Sequence, residues 1–183
     1  MSVLLPTTFT VESEEVLYTD RAITCVGGAF VTELKKRAMQ TGRKRIRLCT
    51  HPHAGDLLHE MLIVLHRQTY VPPHSHPDKS ESFHLIEGAL DVVLFDEAGR
   101  PQSAIPMAHS SQAVFYYRLS DSRFHTVLPQ SEWVVFHETT NGPFRPEQTV
   151  MAPWAPGNAA DRADQQTYLR GVRQFLESYH ATC

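Results

Sequence analysis

Short runs rich in β-branched and aromatic residues fill the centre of this chain, and they limit its possible folds more than any other feature. From residue 44 onwards these runs are separated by turn-forming residues rather than by helical segments. Because no helical crossover lies between them, neighbouring strands are expected to be antiparallel and to form a sandwich or a small barrel. The predicted strands are Met61–Leu65, Thr69–His74, Ser82–Ile86, Leu90–Phe95, Ala113–Tyr117, His125–Leu128 and Trp133–Glu138.

The segments between the runs predict how the strands are joined. Glu87-Gly88 and the residues 96–99 have the turn chemistry of antiparallel hairpins. Residues 103–112 predict a longer connection between strands. The Pro-rich region 142–158 predicts extended chain that wraps over the surface.

Two helices are predicted outside the β-rich centre. The first ends at Gly42 and is indicated by the helical spacing of Phe30, Val31, Leu34 and Ala38. The second is indicated by an apolar stripe that should pack on the β core or on a partner subunit, formed by Tyr168, Val172, Phe175, Leu176 and Tyr179. We therefore expect a single-domain, mainly β protein, with an N-terminal segment and helix over 1–42, a β-barrel over 43–157 and a C-terminal helix over 158–183.

Composition excludes several classes of protein. With 183 residues, of which 42% are hydrophobic, the chain can bury the core of one globular domain. The net charge of −3 gives no basic surface for a polyanion, so nucleic acid is not an expected partner. No run reaches the roughly 20 apolar residues that cross a bilayer, and the opening residues lack the pattern of a signal peptide. A cytoplasmic protein without membrane contact is expected.

The eleven histidines include a pair with metal-ligand spacing. His74 and His76 lie two residues apart, so in a strand both imidazoles would project from the same face. The turn residues 77–80 would return Glu81 beside them, and an antiparallel hairpin would then supply three ligands. Burying these groups without neutralisation would be costly, and a divalent metal would neutralise them. His125 is the best-placed fourth ligand by pattern, and His137 is the competing one.

Three imidazoles and one carboxylate suit Fe(II), Mn(II), Zn(II), Ni(II) or Co(II), and they leave coordination positions for water or substrate. We therefore expect one divalent transition metal per chain.

Further candidates could bind or convert a ligand beside the metal. Arg43, Arg45 and Arg47 have strand spacing, which predicts either an anion-recognising wall near the barrel mouth or a solvated basic edge strand. Phe83 should share the face of Glu81 and make the wall of the site apolar.

Three residues outside these groups complete the set of candidates. Tyr70 is a candidate pocket aromatic, although core packing is the favoured interpretation. His51 and Glu138 are the candidate general acids or bases, but the sequence does not place them relative to the metal.

The spacing of His74, His76, Glu81 and Gly88 resembles the first motif of the cupin superfamily, and His125 resembles the histidine of its second motif. The order of further segments is similar to the WbuC family of cupin-fold metalloproteins, found among genes for bacterial O-antigen synthesis. Those segments are RKRIR, PHSHPDKSES, FDEAG, FHTVLP, HETTNGPF and MAPWAP. The resemblance implies a jelly-roll β-sandwich barrel with an interior metal, and a homodimer, but no defined reaction.

The resulting hypothesis is a metal-binding cupin that binds or converts a small oxygen-rich ligand, sugar-like or anionic, with the metal as Lewis acid. An enzyme of this kind would be an isomerase, an epimerase or a non-haem iron dioxygenase. A non-catalytic ligand-binding or regulatory module and a purely structural metal site are the alternatives.

Overall fold

Two β-sheets form the body of the protein in the computed structural model, which describes residues 8–110 and 112–181. The strands are β1 (Phe9–Ser13), β2 (Val16–Thr19), β3 (Arg45–Cys49), β4 (Leu58–His66), β5 (His74–Ser75), β6 (Glu81–Glu87), β7 (Ala89–Phe95), β8 (Pro101–Ala108), β9 (Tyr116–Leu119), β10 (His125–Pro129), β11 (Trp133–Asn141) and β12 (Val150–Met151). The helices are α1 (Gly28–Gln40) and α2 (Arg162–His180), and a 3-10 turn covers Pro146–Gln148.

The seven-stranded sheet has the order β1-β2-β3-β4-β11-β6-β9, and the five-stranded sheet has the order β12-β5-β10-β7-β8. Neighbouring strands are antiparallel, except that β2 and β3 run parallel. The mainly β sandwich with two flanking helices is therefore confirmed. Within the described ranges the two sheets remain separate and do not close into one barrel.

Alternation along the strands divides each sheet into an inner and an outer face. On β6, Phe83 and Leu85 are buried against residues of the other sheet such as Val92 and Val127, whereas His84 is exposed. This apolar layer between the sheets is the central core, and the metal-ligand candidates lie at its polar end.

The two helices cover the outer faces of the sandwich. Leu34 and Ala38 of α1 pack on the outer side of the seven-stranded sheet, against residues such as Ile46 and Leu48. Leu169, Val172 and Leu176 of α2 pack on the outer side of the five-stranded sheet. Both predicted helices are thus present, and the second packs on the β core. No helix in residues 8–110 and 112–181 is both long enough and apolar enough to span a membrane.

Several predicted segments differ from the structure. The strand predicted over Ala113–Tyr117 begins only at Tyr116, and the hairpin predicted at Glu87-Gly88 is wrong because β6 and β7 belong to different sheets. The connection predicted over 103–112 is wrong for its first part, since β8 extends to Ala108. Pro106 is compatible with β8 because this strand lies at a sheet edge, where a missing N–H removes no ladder hydrogen bond. The strand predicted over Thr69–His74 is mostly irregular, because Pro72 and Pro73 interrupt it.

A further difference lies near the N-terminus, where the sequence predicted no strand before the first helix. There β1 and β2 form a hairpin that extends the seven-stranded sheet through the parallel pairing of β2 with β3.

Candidate metal centre

The four metal-ligand candidates meet between the two sheets. His74 on β5 and His125 on β10 are cross-strand partners in the five-stranded sheet. Glu81 begins β6 in the facing seven-stranded sheet, and His76 lies in the segment that joins the two. The turn that carries the chain across includes Asp78 with a positive φ of 61°.

The predicted hairpin between His74 and Glu81 is wrong, although its ligands converge. β5 pairs with β10 and β12, whereas β6 pairs with β11 and β9, so the two strands belong to different sheets. The site therefore bridges the sandwich, and its ligands are held by two independently packed sheets.

The ligand atoms of these four residues all lie within 4.8 Å of one another. Nε2 of His125 is 2.7 Å from Oε1 of Glu81, and Nε2 of His76 is 3.5 Å from Oε2 of the same carboxylate. The ring centroids of His74 and His125 are 4.6 Å apart. Within the described ranges no other group of histidine, cysteine and acidic side chains has this convergence.

Backbone carbonyls orient all three imidazoles. Nδ1 of His74 lies 2.9 Å from the Pro72 carbonyl, Nδ1 of His125 lies 3.1 Å from the Arg123 carbonyl, and Nδ1 of His76 lies 3.4 Å from the Gln148 carbonyl. Because a carbonyl oxygen can only accept, Nδ1 is the protonated nitrogen of each neutral ring. The Nε2 lone pairs are therefore directed to the centre of the cluster, as metal-binding imidazoles require.

The electrostatics of the cluster favour a cation. The Glu81 side chain is only 4% exposed, and burial opposes its ionisation, but the neighbouring imidazole of His125 outweighs burial and lowers the pKa of Glu81. Burial lowers the pKa of His74 to about 3, so this ring is neutral near pH 7. Burial would also lower the pKa of His125, but the Glu81 carboxylate raises it above its usual value. A metal would compete with that proton.

Two buried polar atoms of the cluster lack a hydrogen bond, as expected if an ion binds there. Oε1 of Glu81 and Nε2 of His125 are 2.7 Å apart, yet neither makes a hydrogen bond of acceptable geometry within the described part of the chain. Buried polar atoms are nearly always satisfied, and a divalent cation bound by both would satisfy them. Three imidazoles and one carboxylate are also a donor set that transition metals accept.

A cavity of about 540 Å³ adjoins the cluster. His74, His76 and Glu81 lie in its wall, whereas His125 is fully buried behind them. The exposed Phe144 also lines the cavity, which therefore reaches the protein surface. A ligand in the cavity could thus approach the ion from one side.

The three predicted arginines all line this cavity, but they differ in their partners. Arg43 and Arg45 both pair with Glu15, at 2.5 Å and 2.9 Å. Within the described ranges, Arg47 makes no ion pair. The edge-strand interpretation is wrong, because β3 lies between β2 and β4 inside the sheet.

The structure separates the two candidate acid or base residues. Glu138 lines the cavity, and its burial together with the nearby Glu81 charge raises its pKa to about 7. His51 is buried outside the cavity wall and stacks on His59 with ring centroids 4.1 Å apart. His59 itself lines the cavity, so His51 supports the wall rather than facing a ligand.

The two aromatic candidates also lie apart. Phe83 lines the cavity as expected. Tyr70 packs on the opposite side of the five-stranded sheet, beside Tyr168 of α2, and its hydroxyl donates to the Pro156 carbonyl at 2.7 Å. Its position matches the core-packing interpretation, and the assignment of Tyr70 to a ligand pocket is not supported.

His137 does not compete with His125 for the metal. Alternation on β11 turns His137 to the face opposite Glu138, where its side chain is 37% exposed. Its Nε2 lies 3.8 Å from Glu60 Oε1, and it does not belong to the cluster. Of the two alternatives, the structure brings only His125 to the other three ligands.

Sequence reasoning missed several polar residues of the cavity wall, among them Thr140 and Glu15. Thr140 could have been found, because it follows Glu138 by two residues and therefore shares its inward face. Glu15 carries no such signal, because its position depends on how the N-terminal hairpin packs against β3.

Comparisons with known proteins add little to the chemistry. A family model described as a domain of unknown function (DUF6016) matches residues 27–107, which is less than half of the chain. No curated protein matches the sequence.

Three solved structures align with about half of this chain. A protein from Shewanella oneidensis aligns over 56% of this chain and 66% of its own, with 7% identity and a TM-score of 0.46. Oxalate decarboxylase from Bacillus subtilis aligns over 52% of this chain and 24% of its own, with 18% identity and a TM-score of 0.42. The Lactobacillus farciminis oxalate decarboxylase aligns over 52% and 27%, with 15% identity and a TM-score of 0.41.

The chain therefore spans about a quarter of the length of these oxalate decarboxylases. The assignment of the site depends instead on the chain's own geometry. A two-sheet β-sandwich holds His74, His76, Glu81 and His125 close enough together to bind one metal ion.

Proposed function

We propose that this protein binds a divalent transition metal through His74, His76, Glu81 and His125, and that the metal receives a small oxygen-rich ligand from the adjoining cavity. One observation carries the proposal: four ligand atoms within 4.8 Å of one another adjoin a cavity of about 540 Å³ that reaches the surface. A purely structural site would have no need of such a cavity.

The donor set limits the metal to Fe, Mn, Zn, Ni or Co in the divalent state. When bound, such an ion supplies Lewis-acid chemistry, polarising a carbonyl or hydroxyl oxygen of the ligand.

The chain's own residues give the cavity its further chemistry. Phe83 and Phe136 form an apolar part of the cavity wall, which keeps water from that side and strengthens electrostatic interactions beside it. The Glu138 carboxyl faces the same space and is outside the ligand cluster, so it is the group placed to accept or return a proton. Its pKa of about 7 allows both protonation states near neutral pH.

The ligand class follows from the wall and from the family resemblance. Arg47 and Glu138 supply hydrogen-bonding groups on one side of the cavity, as a hydroxyl-rich or acidic molecule requires. The similarity of the motifs to the WbuC family supports a sugar-like ligand in surface-polysaccharide (O-antigen) metabolism. We extend the proposal to that class of ligand.

Water proton relaxation of the Mn(II)-loaded protein tests the proposal. A ligand that takes a metal position displaces bound water and lowers the relaxation enhancement. The probes are glucuronate, gluconate and glucose. We expect at least one of them to lower the enhancement in the wild-type protein and in His137→Ala, a histidine outside the cluster.

Two results would contradict the proposal. One is the absence of binding of Mn(II) and of every other candidate divalent metal, which would remove the site. The other is tight Mn(II) binding with no response to any probe, which would indicate a structural metal.

A further inference from the structure

We propose that Glu15 serves as an internal anion that neutralises the Arg43–Arg45 pair, so that Arg47 receives the ligand and the cavity selects a monocarboxylate over phosphate. The inference rests on the proposed function, since it places the ligand in the cavity beside the metal centre. It adds the charge class of the ligand and the residues that determine it.

Glu15 holds the two arginines through a dense set of hydrogen bonds. It lies in the turn between β1 and β2, and its side chain is 5% exposed. Arg43 donates from Nε to Oε1 at 2.7 Å and from Nη2 to Oε2 at 2.5 Å, which is a bidentate pair. Arg45 donates from Nε to Oε2 at 2.9 Å. The geometry is the one that a bound carboxylate ligand would adopt with these guanidinium groups.

The backbone fixes Glu15 in this position. Its carbonyl accepts the N–H of Arg47 at 2.9 Å, beside the parallel pairing of β2 with β3. Nη1 of Arg43 donates to Oδ1 of Asn158 at 3.0 Å and so ties the pair to the segment before α2. Burial of Glu15 opposes its ionisation, but the two arginines outweigh burial and lower its pKa, so its charge persists.

Arg47 differs from its two neighbours on the same strand face. It lines the cavity, and within the described residues its only side-chain hydrogen bond runs from Nη1 to Sδ of Met61 at 4.0 Å, while its charge favours the ionised form of the nearby Glu138. The planar guanidinium group of an unpaired arginine suits a carboxylate, which it can bind through two parallel hydrogen bonds. Lys79, another cation of the wall, donates to the Pro143 carbonyl at 3.3 Å.

The charges around Arg47 disfavour a second negative charge on the ligand. Arg43, Arg45 and Glu15 together carry a single net positive charge instead of two. Glu138 lies in the same cavity, and its carboxylate form would repel a dianion. A ligand with one carboxylate can bind Arg47 without bringing excess negative charge into this space. A dianion such as phosphate would bring its second charge towards the Glu138 carboxylate, while Arg43 and Arg45, which could otherwise pair with that charge, are already bound to Glu15.

Isothermal titration calorimetry of the Zn(II)-loaded protein with glucuronate, glucose and inorganic phosphate tests the inference. We expect the wild-type protein to bind glucuronate at least about tenfold more tightly than glucose or phosphate. Arg47→Met should weaken glucuronate binding by about thirtyfold or more, with unchanged zinc content. Arg170→Met, which changes an exposed arginine of α2, is the matched control and should bind as the wild type does.

Glu15→Gln tests the internal anion directly. Removing its charge should tighten phosphate binding about tenfold and change glucuronate binding much less. If Glu15→Gln does not fold, as judged by circular dichroism, the inference is tested by the affinity of Arg47→Met for glucuronate and by the preference of the wild type for glucuronate over phosphate.

Three results would overturn the inference: equal wild-type affinity for phosphate and glucuronate, normal glucuronate binding by Arg47→Met, or unaltered phosphate binding by folded Glu15→Gln. A failure of the wild type to bind zinc or any other of the candidate divalent metals would instead refute the proposed function, so the two failures are distinguishable.

Discussion

Adding a divalent metal to the metal-free protein should raise its thermal stability, because the cluster contains two buried atoms without hydrogen bonds. These are Oε1 of Glu81 and Nε2 of His125. An unsatisfied buried polar group costs about 1–3 kcal/mol, so satisfying both should stabilise the fold by about 2–6 kcal/mol. In a chain of this length about 1 kcal/mol corresponds to a shift of about 2–4 °C in Tm. The expected increase in Tm is therefore about 4–24 °C.

Scanning calorimetry with EDTA and then with excess Zn(II) or Mn(II) measures this shift. The variant His76→Ala removes one ligand from the cluster and should lose most of the shift. His137→Ala removes a histidine that lies on the other face of β11, and it should keep the full shift. The two variants thus separate binding at this cluster from non-specific binding to histidines.

An unchanged Tm on metal addition would refute the reasoning. So would a shift of equal size in wild type and His76→Ala, because the stabilising ion would then lie elsewhere.

Two further predictions concern pH and the outer core. Burial and the Glu81 charge raise the pKa of Glu138 to about 7. The protonated Glu138 carboxyl therefore stabilises the folded state fully below about pH 4.5, and this stabilisation is lost as pH rises through about 7. Urea unfolding of the metal-free protein between about pH 5 and about pH 8 should show this loss in the wild type and not in Glu138→Gln. An equal pH dependence of the free energy of unfolding in the two proteins would contradict the prediction. Leu176→Ala should cost about 2–5 kcal/mol in the free energy of unfolding, because Leu176 is 3% exposed on the buried face of α2. The zinc content of that variant should not change, since α2 lies on the face of the five-stranded sheet away from the cluster, and metal loss would count against this placement.

The convergence of the metal-ligand candidates could be predicted because it depends on local patterns. His74 and His76 are two residues apart, Glu81 follows after a turn, and His125 begins a strand, so alternation directs their side chains to the interior. The pairing of β5 with β10 then brings His125 beside His74. The same alternation on β11 places Glu138 inside and His137 outside.

The features that the sequence did not reveal depend on long-range pairing. A short spacing between His76 and Glu81 predicts a hairpin, but the register that buries both sheet faces assigns β5 and β6 to different sheets. The role of Glu15 depends on a parallel contact between β2 and β3 across α1, for which local sequence carries no signal. Tyr70 has the composition of a pocket residue, and only the position of α2 shows that it packs in the outer core.

The central claim is that one metal ion binds His74, His76, Glu81 and His125, and metal stoichiometry tests it most directly. Inductively coupled plasma mass spectrometry of untagged protein from its native host should give about one transition metal per chain. The same measurement should show little metal in His125→Ala and an unchanged content in His137→Ala. Metal-free wild-type protein, or a His125→Ala variant that retains full stoichiometry, would contradict the account.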